Sequence, residues 1–344
     1  MLTTQIGILG GGSWGTSLSL HLGRKGYNVT TWIYEKNLVE IILKTRINEL
    51  FLPGYKLPDN VFVTNDLENA VSDKDVICCM GPSHVFRSVV KEALDYIDPR
   101  TCFVSAAKGI ENKSLMRMTE ILKELLPPNY NDKIAVISGP SFAIEVAEKN
   151  PTAVVTASSN RECAKFVQKI FNTPEFRTYI NEDVLGVELA GSLKNVIAIA
   201  TGISDGIGFG NNTRAALITR GLAGITRLGV AMGAEPLTFA GLAGIGDLVL
   251  TCSSTLSRNY KLGFALGKGD KLDNILSSSL MIAEGVNTSK SALALAKKYK
   301  VEVPIIEKVH QILFEGKNPV DGAKELMERE LKGEWYLTWI SKKN

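Results

Sequence analysis

Three glycines constrain this chain more than any other feature. Gly10, Gly12 and Gly15 stand directly after the apolar run Gln5–Leu9 and open residues 14–22, where apolar and small side chains recur at helical spacing. Strand, tight turn and helix are expected in that order. Gly26 stops the helix and residues 27–33 read as a second buried strand, completing a βαβ unit of about thirty residues and dictating a parallel sheet. In that setting the GxGxxG spacing has a mechanism. The first glycine permits the turn, the second lets backbone approach a pyrophosphate, the third allows close helix packing, and the helix N-terminus favours the anion. A glycine-rich turn without ligand is the plain alternative.

Further strands are expected over residues 75–79, 101–106, 133–137, Thr152–Ala157 and 175–180, with helical patterns between most of them. That alternation predicts a doubly wound α/β domain of Rossmann type. Past residue 183 or so the strand signals fade, and stretches rich in Ala, Leu, Ile and Gly continue to the C-terminus. At roughly 150 residues per domain, 344 residues allow about two. The expected division is 1–188 as a dinucleotide-binding domain and 189–344 as a mostly α-helical, substrate-binding domain. Chemistry is expected where the carboxyl ends of the strands meet the helical half.

Charge and cysteine usage narrow the class. Lys plus Arg number 39 against 36 Asp plus Glu, a net charge of +3, which suits neither a nucleic-acid arm nor an acidic disordered chain. Five cysteines, with Cys78 and Cys79 adjacent, make neither a disulfide framework nor metal knuckles, so a reducing, cytoplasmic setting is the simplest. The first 23 residues carry no formal charge, but six of them are glycine and no basic segment precedes the apolar part. A signal peptide or membrane span therefore fits badly.

Several polar residues interrupt otherwise apolar surroundings. Glu35 lies 20 residues beyond Gly15 at the end of the second strand, where a carboxylate can accept the ribose hydroxyls of NAD and repel a 2′-phosphate. Lys36 beside it can swing toward that phosphate, and Glu35 can equally be a solvated loop charge, so NAD and NADP both stay open. Lys108 follows the strand at 101–106. Ser105 and Lys108 have SxxK spacing, but neither SDN nor KTG occurs. Residues 138–142 (SGPSF) follow another strand and lead into a short helix, and a capped turn explains them as well as a ligand does. Lys194 shares a helical stripe with Gly191, Asn195, Ala198 and Gly202. Such a lysine commonly snorkels outward; the small neighbours favour a functional one. Asp247 ends a GIGD segment, and Ser257, Arg258 and Asn259 offer a helix cap and a planar donor fork suited to phosphate, or merely a capped helix with a surface arginine. His21, His84 and His310 fit no metal spacing, and Gly267 and Lys268 are followed by glycine, which breaks a P-loop.

Taken together, GGGSWGTSL from Gly10, SAAKGIE from Ser105, SGPSFAIEVA from Ser138, the segment ELAGSLKNVIAIATGISDGIGFGNNTRAALITRGL from Glu188 and TFAGLAGIGDLVLTCSSTLSRNYKLG from Thr238 resemble the bacterial-type NAD(P)-dependent glycerol-3-phosphate dehydrogenases over nearly the whole length. The resemblance implies reversible reduction of dihydroxyacetone phosphate to sn-glycerol 3-phosphate, the backbone of glycerophospholipids. It implies that Ser13, Trp14, Tyr34, Lys108, Ala143, Arg258, Ile282 and Glu284 contact the nucleotide. Lys108, Gly139, Ser141, Asp247, Ser257, Arg258 and Asn259 are implied around the substrate, and Lys194 matches the proton donor and acceptor. Family members often carry Arg or His where this chain has Tyr34, which, with the acidic Glu35, argues against a strong NADP preference. A homodimer is a family-level expectation.

The expected mechanism is hydride transfer from nicotinamide C4 to the ketone C2, with Lys194 protonating the developing alkoxide. Lys108 would lower the proton affinity of Lys194 and Asp247 would oppose it. Two rival readings are a related two-domain hydroxy-acid dehydrogenase, with a carboxylate at Arg258, and a noncatalytic dinucleotide sensor.

Overall fold

Short, almost unbroken apolar runs make most strands of the α/β part, as a sheet covered on both faces requires. The computed structural model describes residues 4–277, 283–331, 333 and 334. Two compact units divide the chain: one holds it up to Glu111 together with Met116–Glu188, the other holds Asn112–Leu115 and the chain from Leu189 onward.

In the first unit the strands are β1 (Gln5–Leu9), β2 (Asn28–Trp32), β3 (Val61–Thr64), β4 (Val76–Cys79), β5 (Cys102–Ser105), β6 (Ile134–Ser138), β7 (Thr152–Ala157) and β8 (Phe176–Asn181). Between them lie α1 (Ser13–Arg24), α2 (Lys36–Thr45), α3 (Leu67–Val71), α4 (Ser83–Ala93), α5 (Met118–Leu125), α6 (Ala143–Ala147) and α7 (Arg161–Phe171). The sheet order is β3-β2-β1-β4-β5-β6-β7-β8. Its first six strands are parallel and have the doubly wound order, with the chain reversing direction across the sheet between β1 and β4.

Alternation along single strands divides two cores. Ile6 and Ile8 of β1, Val76 and Cys78 of β4, and Cys102 and Val104 of β5 pack with Leu18, Leu22, Ile42 and Val167 from α1, α2 and α7. Leu9, Ile77, Cys79 and Phe103 point the other way, onto Ala70, Phe86, Val90, Ile121 and Leu122 from α3, α4 and α5. Helices on both faces are what fix the glycine loop after β1 at a carboxyl edge.

Two details depart from expectation. β7 pairs antiparallel with β6, and β8 is parallel to β7, so the last pair runs against the rest of the sheet. β3 had not been expected at all; it is a four-residue edge strand whose Phe62 points outward, 55% exposed.

The second unit is helical among the described residues. It contains most of α8 (Val184–Ile207), then α9 (Asn211–Met232), α10 (Pro236–Phe239), α11 (Asp247–Ser253), α12 (Arg258–Gly267), α13 (Leu272–Ser277), α14 (Glu284–Lys298), α15 (Pro304–Phe314) and α16 (Pro319–Met327). By length and composition three described segments are long and apolar enough to cross a membrane: α8, α9 and Pro236–Ser253. In α8, 89% of the apolar window is buried inside the protein. A helix that is apolar all round is a core helix when protein surrounds it, and that describes α8.

Candidate active site

The glycine loop has the shape its sequence requires. Gly10 sits at φ +116°, a conformation that favours glycine, and its N–H donates to Trp32 O at 3.1 Å. A Cβ at Gly15 would lie 1.8 Å from Gly10 O, so only glycine lets α1 start this close to the strand. At Gly12 a Cβ would meet nothing within 4 Å. Gly12 is the cap position of α1; no side chain caps that end and no acidic residue stands in the first turn. A first helical turn with no side-chain cap, beside the open space at Gly12, is what a pyrophosphate needs, so these residues fit a dinucleotide.

Asn48, which the sequence reading did not single out, holds this loop. Wholly buried, it donates from Nδ2 to Gly11 O at 2.9 Å and to Thr16 Oγ1 at 2.8 Å, while Thr16 Oγ1 donates to Gly11 O at 3.0 Å. No local motif marks Asn48; it lies 37 residues from its partner Gly11.

Tyr34 and Glu35 stand exposed just beyond β2, Tyr34 at the edge of the Trp32 ring with centroids 6.2 Å apart. Lys108, beyond β5, donates to Gly139 O at 3.3 Å, and Ser141 Oγ donates to the same oxygen at 2.9 Å. Gly139 follows β6 at φ +138°, where a Cβ would lie 2.9 Å from Val154 Cα. The structure thus gathers Lys108, Gly139 and Ser141 at the carboxyl ends of two adjacent strands. Ala143 opens α6, and its carbonyl accepts from Ser17 Oγ of α1 at 2.7 Å, tying this loop to the helix that begins at Ser13 and Trp14. Ser105 Oγ is buried without a partner, while Lys108 bonds Gly139.

In the second unit Lys194 turns inward. Its ammonium pairs with Asp247 Oδ1 and donates to Thr251 Oγ1 at 2.7 Å, and the Thr251 hydroxyl in turn donates to Asp247 O at 2.6 Å. The two charged side chains are 8% and 1% exposed. The sequence-level alternative of an outward-snorkelling lysine is therefore excluded. Asp247 and Thr251 stand one turn apart on α11, which starts after the π-type turn Leu242–Gly246; Gly244 there leaves helical geometry at φ −89°, ψ −107°. Irregular turns of this kind recur where side chains are aimed at a site.

Nearby on the chain, Ser257 caps α12 by accepting from Tyr260 N at 3.2 Å. Asn259 donates from Nδ2 to Asn195 Oδ1 at 3.0 Å and accepts from Gly285 N at 2.9 Å, so the orientation of its amide is set. Arg258 is open to solvent; desolvation by surrounding protein nonetheless lowers its pKa, opposed by the charge of Glu284 at the start of α14. Ile282 lies outside the described residues. Thr251 and Asn195 are the polar neighbours that sequence reasoning left without a role, although Asn195 had been placed on the stripe of Lys194. Burial pushes the Cys252 thiol up to about 12, which leaves it a poor nucleophile. His21 bonds Phe171 O through Nε2 at 2.7 Å, a packing role. No group of three or more His, Cys, Asp or Glu able to hold a metal occurs among the described residues.

Comparison with known proteins bears on both units. Residues 5–164 match the family model for the N-terminus of NAD-dependent glycerol-3-phosphate dehydrogenase, and residues 183–324 match that for its C-terminus. The glycerol-3-phosphate dehydrogenase (NAD(P)+) of Geobacter sulfurreducens is 52% identical over 333 residues, spanning 97% of this chain and 99% of the relative. A crystal structure of glycerol-3-phosphate dehydrogenase from Coxiella burnetii superposes with a TM-score of 0.91 at 40% identity, covering 95% of this chain and 99% of that one. The glycerol-3-phosphate dehydrogenase structure from baker's yeast gives 0.79 at 26% identity, covering 95% and 100%.

Proposed function

The chain belongs to the NAD-dependent glycerol-3-phosphate dehydrogenase family, and from that premise we propose how its residues divide the work. The reaction is the reversible reduction of dihydroxyacetone phosphate to sn-glycerol 3-phosphate with NADH or NADPH. Bound nicotinamide supplies the hydride that converts the carbonyl at C2 into an alkoxide.

Lys194 delivers its Nζ proton to that alkoxide oxygen and removes it in the reverse direction. The observation that carries this assignment is the buried cluster of Lys194, Asp247 and Thr251. Asp247 compensates the ammonium in a dry setting, and the Thr251 hydroxyl, which accepts from Nζ while donating to the Asp247 carbonyl, fixes where the amine sits. Arg258 and Asn259 hold the substrate phosphate, with Ser257 capping the helix that presents them. Binding energy from that remote group then serves to position the carbonyl. Lys108, Gly139 and Ser141 are assigned to the substrate as well as the nucleotide, and Glu284 and Ala143 to the nucleotide.

The amides of the first turn of α1, with Gly10, Gly12, Ser13, Trp14 and Gly15, take the pyrophosphate, while Tyr34 and Glu35 flank the adenosine ribose. The carboxylate of Glu35 favours free ribose hydroxyls over a 2′-phosphate, so NADH is the better substrate. Free, buried cysteines suit a reducing compartment, and we place the enzyme in the cytoplasm, supplying sn-glycerol 3-phosphate to glycerophospholipid synthesis. Initial rates with dihydroxyacetone phosphate and each reduced nucleotide test the reading. Oxidation of NADH that requires the phosphorylated ketone supports it, and oxidation only with a 2-keto acid, or with no ketone at all, contradicts it.

A further inference from the structure

Two helices of the second unit touch backbone to backbone. A Cβ at Gly202 of α8 would lie 2.2 Å from Tyr260 O of α12, and one at Gly206 would lie 2.3 Å from Phe264 O. Reciprocally, a Cβ at Gly263 would lie 2.2 Å from Ile199 O, and one at Gly267 would lie 2.3 Å from Ile203 O. Glycines spaced by four on both partners set how close the helices come. With the backbones this close, sliding either helix would drive a Cβ into a carbonyl, so the glycines fix the register of α12 on α8 and leave the fine rotation of its first turn to other contacts.

A polar contact beside the glycines ties that first turn. Tyr260 OH donates to Asp205 Oδ2 at 2.6 Å, and Arg214 of α9 donates to the same oxygen from Nε at 2.9 Å and from its terminal nitrogen at 2.7 Å. Asp205 and Tyr260 are both buried or nearly so. Burial and the Asp205 carboxylate raise the Tyr260 pKa, so the phenol keeps its proton and is the donor. Tyr260 follows Arg258 and Asn259 directly, and its own N–H is taken by the Ser257 cap. Asp205 lies 11 residues beyond Lys194 on α8, close to three helical turns and so on the same face.

We propose that Asp205 is a positioning residue for the reaction: through the Tyr260 hydroxyl it fixes the rotation of the first turn of α12, and with it the aim of Arg258 and Asn259 at the substrate phosphate. The proposal rests on the reading of those two residues as phosphate holders. An error in their aim costs phosphate binding first, because the hydride and proton steps use other groups.

The test uses the full-length enzyme carrying Tyr260→Phe, Asp205→Asn and both changes, assayed with NADH and either dihydroxyacetone phosphate or unphosphorylated dihydroxyacetone. Each single change should raise KM for the phosphorylated ketone about tenfold while kcat falls less than about threefold. KM for NADH should rise less than KM for the phosphorylated ketone, kcat/KM for dihydroxyacetone should stay within about twofold, and the double variant should be no worse than the poorer single, as expected of two residues in one contact. Equal losses with both ketones, a fall in kcat alone, additive effects, or no change in KM overturns the positioning role. If Asp205→Asn does not fold, Tyr260→Phe, which removes one oxygen and keeps the ring, decides the matter by itself. Wild-type enzyme that does not discriminate between the two ketones overturns the phosphate reading, and this proposal with it.

Discussion

Lys194 and Asp247, 53 residues apart in the chain, form a buried ion pair to which Thr251 adds a hydrogen bond. Two charges withdrawn from water in this way are stable together and costly apart. Asp247→Asn leaves the ammonium uncompensated, and the expected loss is about 3–5 kcal/mol of folding stability together with reduced turnover. Urea melts on the variant check it; a melt superimposable on wild type contradicts the description of this pair.

The glycine loop predicts opposite outcomes for two neighbouring substitutions. Gly12→Val places its side chain in open space at an ordinary φ of −67°, so the protein should fold with a loss of no more than about 1 kcal/mol for the poorer helix cap, while NADH affinity falls by about two orders of magnitude. Gly15→Ala drives a methyl into Gly10 O and should cost about 1–3 kcal/mol or more of stability. Nucleotide titration and thermal melts on the pair separate binding from folding.

Removing the charge of Glu35 should shift nucleotide choice. Glu35→Ser leaves an exposed position without its carboxylate, and the NADPH to NADH ratio of kcat/KM should rise by about tenfold or more. An unchanged ratio would show that Glu35 is only a solvated charge at the start of α2.

A pH effect is expected near the end of the described chain. Lys308 and Lys317 hold the Glu325 carboxylate at about 2, well below its ordinary 4.5. A depressed carboxylate contributes stability that is fully present above the unfolded pKa and is lost as pH falls toward the folded one. Glu325→Gln should therefore melt below wild type at about pH 6, and the gap should shrink below about pH 4.5 and close as pH falls to about 2. A gap that persists or widens in acid would contradict these contacts.

What the sequence made legible was local. Gly10, Gly12 and Gly15, the helix after them and most buried strands are written within a few residues of one another, and the structure has them at or within two residues of the expected bounds. The edge strand β3 escaped notice because four residues with an outward Phe62 carry neither length nor clean alternation. The reversal of β7 and β8 was illegible because neither a mostly buried run such as β7 nor an alternating one such as β8 reads differently when its direction is reversed. Within the site, Lys194 stood out by its small neighbours, but its burial depends on Asp247 and Thr251 far along the chain, and Asn48 gave no signal because the carbonyl it serves is equally remote.

The most direct test of the account is pre-steady-state reduction of dihydroxyacetone phosphate by Lys194→Ala, with NADH affinity measured on the same preparation. The rate should fall by about two to four orders of magnitude while the NADH dissociation constant stays within about threefold of wild type. A rate near that of wild type, or a parallel collapse of nucleotide binding, would contradict a proton-transferring role for this amine.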